Sequence, residues 1–584
     1  MKRLLAVLLC FVLFLCACSS PIHVPPLSQE EESIQRPRVA FDEMEYQRPD
    51  IDALLSDLTI LHQRFFEKKS PQDREAILVQ ANRLQLDFLT MYALADIRSA
   101  MDTSDPYYQQ ELAVLSKGRN AIAQETARFY EKLLSPEHQA LADGLLEPWE
   151  QQEMGRLARS YSQETGALMD QEDSLCQQYA QSLAASQPAQ SAQAFCEQYY
   201  PEWSQLFLSL CQVRYQLAQQ LGYEDFVGLG YDRMGRSCYG EQEVEAFRQG
   251  VKTYLAPAYQ TLVQKKSQEA GVEQFPFYAL SALAPVPEWE ADTQTTLTVF
   301  RQVYKEMSPS TGTCMDYLLD YRLYDLEPRE NKSPGGFQEY IYGYASPFLF
   351  GTFRGDAGDV SLFSHEFGHF YAAFEKINPD PEHYQDGDRT MDIKEMQSSG
   401  MEVLTLRWYP LFFGAHSAAF EKAQVLEMFS LVLDCCMYDE WQHLVYHHWE
   451  TIQASPDPAA ECDRIMAQLR KEYYGELDYT LLEPYGQGKM WIEKAHVFET
   501  PFYMIDYALA YSVALQLYAL SLEDWDQAFS AYESLVRQPS GLSFLEAVEG
   551  AGLESPFSIQ ALEQLGLLFE QAMNPPPPAS PYSS

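Results

Sequence analysis

The strongest chemical signal in the chain is a pair of histidines with a glutamate beside the first of them. Residues 361–371 contain the pattern His365-Glu366-x-x-His369. We expect a helix here, and because residues four apart share one helical face, both imidazoles can point at one metal ion. A glutamate in that place can take a proton from a water on the metal. The pattern predicts a zinc peptidase site; the competing interpretation is a helix that carries two histidines by chance.

A catalytic zinc ion needs a third protein ligand, and residues 391–404 offer two candidates. Glu395 and Glu402 are seven residues apart, so they share a face of a helix. Two carboxylates on a largely apolar helix are costly unless positive charge compensates them. We therefore predict that Glu395 ligates zinc and that Glu402 accepts a hydrogen bond from a ligand histidine. A pair of surface glutamates is the alternative, and Asp392 and His383 are weaker ligand candidates because each lies in or next to a polar loop.

Three blocks together resemble the thimet oligopeptidase and oligoendopeptidase F family of zinc peptidases, in particular its bacterial oligoendopeptidase F and Pz-peptidase branch. They are the histidine motif with Gly368 inside it, residues 395–402, and residues 496–511. A weaker match is Pro334-Gly335-Gly336. Many relatives continue this weaker match with a Tyr-Cys-Thr-like stretch, which this chain lacks.

The resemblance implies a mainly α fold, a two-lobed helical zincin with a small β-sheet next to the zinc helix and a deep substrate channel. It also implies that Glu366 is the general base and that His496, Tyr503 and Tyr507 stabilise the oxyanion of the reaction. The tyrosine spacing leaves open which of them does so. The alternative is an aromatic stripe that packs in the core, and for Tyr511, which continues the spacing, core packing is our expectation.

Residues 340–353 are rich in strand-forming side chains and contain Gly343. They predict a short hairpin just before the zinc helix, with an edge strand that could hold an extended peptide by backbone hydrogen bonds. A small sheet without a substrate role is the alternative. Asp359 lies just before the apolar start of the zinc helix and is predicted to be its N-cap.

We therefore expect a zinc-dependent oligoendopeptidase that hydrolyses internal bonds of short unstructured peptides. One alternative is a zinc carboxypeptidase or dipeptidyl-type peptidase on the same scaffold, which would need a charged group for the substrate terminus. An alternative of another class is a catalytically silent peptide-binding lipoprotein. Retention of the two histidines, Glu366 and Glu395 favours an enzyme over a binding protein.

Residues 1–18 carry two basic residues, an apolar run and the sequence Leu15-Cys16-Ala17-Cys18. This resembles a bacterial lipobox, so we expect residues 1–17 to be a lipoprotein signal peptide and Cys18 to carry the lipid. Residues 18–40 would be a flexible tether. The expected location is the bacterial cell membrane, lipid-anchored, on its extracytoplasmic side. An ordinary signal peptide or an uncleaved anchor is the alternative, and no other uninterrupted apolar run is long enough to span a membrane.

The chain is strongly acidic, with 84 Asp and Glu against 41 Lys and Arg and a formal net charge of −43. Such a chain is a poor partner for nucleic acid, and none is expected. The cysteines that follow Cys18 include no Cys-x-x-Cys pair, so a cysteine-built metal site is not expected. We expect these cysteines to be mostly buried thiols.

Helical periodicity and composition predict the domain organisation. We expect an N-terminal helical region at residues 41–235 and a zinc peptidase catalytic region at residues 236–573. Residues 574–584 are rich in proline and are expected to be a disordered tail. No repeat of fixed period is evident, so a solenoid is not expected.

Overall fold

The structure is a computed structural model that describes residues 38–160, 163–186, 191–377, 390–538 and 541–574. The predicted signal peptide, Cys18, most of the predicted tether, His383 and residues 575–584 lie outside the described residues. The predictions made for them are therefore sequence predictions only.

The described chain is mainly α-helical, as the resemblance implied. Most of the N-terminal helices begin after a side-chain cap, such as Asp50 before the first helix and Ser70 before the second. A π-helical turn, Val251–Leu255, joins the helix that ends at Gly250 to the helix that begins at Ala256. The helices of the first half are α1 (Ile51–Glu67), α2 (Pro71–Met101), α3 (Pro106–Leu133), α4 (Gln139–Leu145), α5 (Pro148–Ser160), α6 (Gln163–Ala184), α7 (Ala192–Gln220), α8 (Phe226–Arg233), α9 (Glu241–Gly250), α10 (Ala256–Ala270), α11 (Thr293–Met307) and α12 (Pro309–Asp320).

The second half is also helical and contains every residue predicted for the site apart from Cys18. It includes a helix of 31 residues, Ser417–His447, that packs against several of the others. The helices of this half are α13 (Gly358–Glu375), α14 (Met391–Thr405), α15 (Tyr409–Phe413), α16 (Ser417–His447), α17 (Trp449–Gln453), α18 (Pro458–Tyr474), α19 (Glu483–Gly486), α20 (Ala495–Glu499), α21 (Met504–Glu523), α22 (Trp525–Arg537), α23 (Phe544–Gly550) and α24 (Ile559–Met573).

The strands form two small sheets. In the larger one, β2 (Tyr324–Asp325) pairs parallel with β4 (Ser346–Gly351), and β3 (Gly336–Ile341) pairs antiparallel with β4. The strand order is β2-β4-β3, so β3 is at the edge. This confirms the predicted hairpin, which directly precedes α13. The second sheet is a parallel pair of short strands, β1 (Phe275–Pro276) and β5 (Leu477–Asp478).

The predicted N-cap of α13 is wrong. The helix begins at Gly358 after Ala357, so Asp359 lies inside the first turn. Its two carboxylate oxygens accept hydrogen bonds of 2.8 Å from the backbone N–H groups of Arg354 and Gly355. The side chain therefore orders the turn that leads from β4 into the helix.

Helix α21 is the central helix of the second half and packs against α14, α16 and α22. It is long and apolar enough to cross a membrane by length and composition alone, but 67% of that apolar stretch is buried inside the protein. This burial is what a core helix shows, because its apolar side chains are already covered by other helices.

The eight cysteines among the described residues are free thiols, six of them buried and two partly buried. The expectation of mostly buried thiols is confirmed. Burial raises the pKa of Cys211 to about 12, which keeps this thiol protonated and unreactive.

Candidate metal centre and its surroundings

Three predicted ligands meet where α13 faces α14. One ligand atom from each of His365, His369 and Glu395 lies within 4.8 Å of the other two. The Nε2 atoms of the two histidines lie 3.3 and 3.6 Å from the same Oε2 atom of Glu395. Two imidazoles and one carboxylate are a donor set that zinc takes in catalytic sites, with a fourth position left open. The chemistry of the three side chains therefore fits a zinc ion.

The close crossing of the two helices depends on Gly368, which lies between the two histidines in sequence. A Cβ atom at this position would lie 2.6 Å from the Cα atom of Ser398 and 2.9 Å from the Cβ atom of Met401. Since no side chain can fit there, the backbones of α13 and α14 are in contact. This contact places the histidines of one helix against Glu395 of the other.

Glu402 lies two turns after Glu395 on α14 and has the partner predicted for it. Its Oε2 atom lies 3.4 Å from Nδ1 of His365 and accepts a hydrogen bond of 2.6 Å from the Tyr511 hydroxyl. Its Oε1 atom accepts a bond of 2.8 Å from the Gln424 side chain. A carboxylate on Nδ1 orients the imidazole and leaves Nε2 free for a metal.

Two of these contacts were not predicted. Tyr511 was expected to pack in the core, and although it is buried, its hydroxyl binds the carboxylate that orients His365. Its place on the same helical face as Tyr503 and Tyr507 was the signal that could have indicated this. Gln424 comes from α16, and no local pattern connects it to the motif.

Glu366 is buried at 6% exposure, and its Oε2 atom has no hydrogen-bond partner among the described residues. Burial and the nearby carboxylates of Glu395 and Glu402 raise the pKa of Glu366, while the two histidines oppose the shift. The backbone of β3 approaches this carboxylate closely, since a Cβ atom at Gly336 would lie 2.9 Å from its Oε1 atom. The carboxylate is therefore available to exchange a proton beside the edge strand.

The third block also contacts the ligand Glu395. The Tyr503 hydroxyl donates a hydrogen bond to Oε1 of Glu395. The rings of Tyr503 and Tyr507 are 4.9 Å apart between centroids, and the His496 ring lies 5.5 and 5.8 Å from them. Burial and the charge of Glu395 raise the pKa of both tyrosines, so both remain hydrogen-bond donors. Burial and then Lys494 lower the pKa of His496, which favours its neutral form.

The turn between α20, which carries His496, and α21 contains Phe502 in the left-handed region, with φ of 68°, followed by Tyr503 just before α21 begins. A non-glycine residue there is strained and persists only when its surroundings hold it. Its N–H donates a bond of 3.0 Å to Gln442, and its carbonyl accepts one from Arg236, which also pairs with Asp506 at 2.7 Å. No pattern in the sequence predicts this turn.

One cavity borders the centre, and a second, larger cavity shares a lining residue with it. The smaller, of about 240 Å³, is lined by residues that include His365, Glu402 and Tyr511. The larger, of about 640 Å³, is lined by residues of α16 and α18 and by Lys494. Glu427 of α16 lines both cavities. Of the side chains predicted for the site, His365 and Glu402 thus border open space.

Comparison with known protein families gives two matches that together span most of the chain. Residues 41–152 match a family model described as the peptidase M3 N-terminal domain. Residues 188–567 match the model described as peptidase family M3. The second match contains both histidines, Glu366, Glu395 and the whole third block.

The curated relative described next has low sequence identity to this chain. Oligopeptidase PepF of Bacillus subtilis strain 168 is 22% identical over 333 residues, which are 55% of this chain and 44% of that protein. The match thus spans less than half the length of this curated relative.

Two solved structures are similar over nearly their whole length. A Pz peptidase A with an inhibitor has a TM-score of 0.83 at 26% identity and covers 91% of this chain and 99% of that chain. A protein described as an oligoendopeptidase F from Bacillus anthracis strain Ames has a TM-score of 0.79 at 26% identity, with 92% and 98% covered. These likenesses confirm the two-lobed, mainly helical fold.

Proposed function

The chain belongs to peptidase family M3, and from this membership we propose that it is a zinc-dependent oligoendopeptidase acting on short unstructured peptides. The observation that carries the proposal is the convergence of His365, His369 and Glu395 within 4.8 Å beside the buried carboxylate of Glu366. The structural likeness to a Pz peptidase A supports it. The complete set of ligands and base disfavours the alternative of a catalytically silent binding protein.

His365, His369 and Glu395 would hold the zinc ion, which when bound supplies a Lewis acid that polarises the substrate carbonyl and makes water acidic enough to attack it. Glu366 takes the proton of the attacking water and returns it to the leaving amine. Burial suits it for both steps, because a raised pKa brings a carboxylate closer to neutral pH, where it can accept and release a proton.

The residues of the third block have different parts in this proposal. The Tyr503 hydroxyl is engaged with Glu395 and so positions a metal ligand. The Tyr507 hydroxyl is hydrogen-bonded to that of Tyr503 and is the donor we assign to the developing oxyanion. His496 in its neutral form can donate a second hydrogen bond next to it. The edge strand β3 would hold the peptide in extended form beside Glu366.

Replacing Glu366 by glutamine tests the proposal directly. The variant should keep its zinc, because all three ligands remain, and lose peptide cleavage by on the order of 10²–10⁴-fold, because the base is gone. Metal analysis and cleavage of a quenched peptide measure the two effects separately. Glu563→Gln on α24 removes the same charge from an exposed glutamate and should behave as wild type.

Removal of zinc by a chelator should abolish cleavage, and added zinc should restore it. Mass spectrometry of the fragments decides between the endopeptidase and the exopeptidase alternatives. Cuts within the peptide support the proposal. Release of one or two residues from a terminus alone would favour a carboxypeptidase or a dipeptidyl-type enzyme. An active Glu366→Gln enzyme would remove this residue from the mechanism.

We further propose that Cys18 carries a lipid that anchors the chain to the bacterial cell membrane on its extracytoplasmic side. The support is the sequence of residues 1–18, which lie outside the described residues. Cys18→Ala should move the chain out of the membrane fraction or stall its processing. Mature wild-type chains that begin before Cys18 would contradict the proposal.

A further inference from the structure

Glu427 of α16 is a carboxylate to which neither the fold nor the proposed chemistry gives a function. Its side chain is exposed to solvent at the junction of the two cavities, one of which also contains His365. Residues 424, 428 and 431 of the same helix line the smaller cavity with it, so this face of α16 forms one wall of the space beside the candidate metal centre.

A comparison with Glu402, which lines the same small cavity, shows what Glu427 lacks. Both oxygens of Glu402 have partners, namely His365, Tyr511 and Gln424. Glu427 has no hydrogen bond and no ion pair with any residue that the structure describes. Because the Glu427 side chain is exposed, its carboxylate stays in contact with solvent. The carboxylate is therefore free to take a cationic partner that enters the cavity.

The charges of the larger cavity do not supply that partner. Lys494 lies 3.8 Å from Asp434, which also accepts a hydrogen bond of 2.8 Å from Tyr474. The guanidinium of Arg470 lies over the rings of Phe277 and Tyr485, at 5.4 and 5.7 Å from their centroids.

Glu493, the remaining carboxylate of this cavity, accepts a bond of 2.8 Å from Tyr485. The wall thus carries three carboxylates against two cations, and Glu427 is the carboxylate left without a close cation or a hydrogen-bond donor. Desolvation by the surrounding cavity walls, and then the charge of Glu402, raise the pKa of Glu427, so its local environment is one that a positive charge would stabilise.

We propose that Glu427 receives a positively charged group of the peptide substrate, which is either its N-terminal ammonium or a lysine or arginine side chain. Both groups offer N–H donors that form charge-assisted hydrogen bonds with a carboxylate. An acidic side chain in the same place would meet Glu427 and Glu402 together and be repelled. The inference rests on the proposed function, since it names the substrate class of that same site.

The test compares pairs of peptides that differ by one charge. One pair has lysine or norleucine at each position in turn, and the other has a free or an acetylated N-terminus. The wild-type enzyme should cleave the charged member with a kcat/KM that is on the order of 10- to 100-fold higher at one position or for one terminus, as expected for a hydrogen bond between charged groups. The lysine pair and the acetylated pair show which source supplies the charge.

In Glu427→Gln this ratio should fall to about 1, because the amide keeps the shape of the side chain but not its charge. In Glu427→Lys the preference should invert toward a glutamate at the same position. Glu563→Gln, which removes an exposed charge on α24, should retain the wild-type ratio.

The outcomes distinguish a failure of the Glu427 assignment from a failure of the peptidase proposal. A wild-type enzyme without a preference for the charged peptides, or a Glu427→Gln variant that keeps the preference, overturns the assignment of Glu427 and leaves the peptidase proposal standing. Loss of the preference in Glu563→Gln as well would show a general effect of net charge and would also overturn it. A zinc-loaded wild-type enzyme that cleaves none of the peptides refutes the proposed function itself.

Discussion

The two sides of the candidate site are held in different ways. On the ligand side, α13 and α14 touch directly through Gly368, and the positions of His365, His369 and Glu395 follow from that one contact. On the tyrosine side, a strained turn at Phe502 is fixed by groups from distant parts of the chain. The ligand side is thus set by two neighbouring helices, whereas the tyrosine side depends on the whole fold.

The N-terminal helices contribute to the tyrosine side. Arg214 of α7 is buried, pairs with Glu172 at 2.7 Å and donates a bond of 3.2 Å to the carbonyl of Val497, next to His496. Tyr179 of α6 stacks on Phe498 with a centroid distance of 3.7 Å. Because different contacts support the two sides, zinc affinity and turnover should be open to separate perturbation.

The largest expected difference is between the effects of replacing Tyr507 and of replacing Tyr503. Tyr507→Phe should lower kcat by on the order of 10²–10³-fold with little change in KM or zinc content, since an oxyanion donor acts in the transition state. Tyr503→Phe should instead weaken zinc binding by about 10- to 100-fold, because its hydroxyl binds Glu395. Kinetics at saturating zinc and a zinc titration distinguish the two effects.

The reverse pattern, with zinc lost in Tyr507→Phe and kcat lost in Tyr503→Phe, would exchange the two assignments. Wild-type behaviour of both variants would mean that the two tyrosines only pack in the core. Tyr518→Phe is a suitable control on the same helix, since it removes a hydroxyl that binds Glu421 away from the ligands.

On the ligand side, Gly368→Ala should be destabilising by about 1–3 kcal/mol, because the new methyl group meets backbone atoms of α14 that cannot move aside. Pushing the helices apart also separates the histidines from Glu395, so zinc affinity should fall with stability. Denaturant unfolding and a zinc titration measure both. The control is Gly144→Ala on α4, where a Cβ atom would meet nothing within 4 Å. Retained wild-type zinc affinity in Gly368→Ala would show that the crossing does not set the ligand geometry.

The sequence predicted which side chains meet on the ligand side, because its signals are local. Four-residue spacing places His365 and His369 on one face, and seven-residue spacing does the same for Glu395 and Glu402. The contact between Glu402 and His365 is present as predicted. The hairpin before α13 was likewise predicted from strand-forming residues and one glycine.

The rest could not be predicted because it depends on tertiary contacts or on single positions. Tyr511 has the same spacing whether its hydroxyl binds Glu402 or only packs, so the pattern could not tell the two apart. A positive φ at Phe502 has no sequence signal, since the residue is neither glycine nor asparagine. Asp359 was assigned one role and has another because a shift of two positions moves a carboxylate from the cap to the first turn. The position of Glu427 between two cavities follows from the packing of several helices, so no pattern in the sequence predicts it.

The smallest expected effect tests the tyrosine side from a distance. Gly230 lies on α8, and a Cβ atom there would lie 2.4 Å from Cδ2 of the Phe502 ring. Gly230→Ala should be destabilising by about 1 kcal/mol, since the overpacking is partly offset by the better helix propensity of alanine. The displaced ring should shift the turn that positions Tyr503 and His496. We expect kcat to fall while zinc content at saturating metal stays at the wild-type level.

This result would be the opposite of that for Gly368→Ala, where zinc affinity changes first, although both variants add one methyl group to a close contact. The pair therefore tests whether the two sides are supported independently, because each variant serves as the control for the other. Equal loss of zinc in both would mean that the strained turn also sets the ligand geometry, through the bond from Tyr503 to Glu395. A normal kcat in Gly230→Ala would mean that Arg236 and Gln442 hold the backbone of Phe502 even when its ring moves. The two hydrogen bonds would then be sufficient to keep the turn at its φ of 68°.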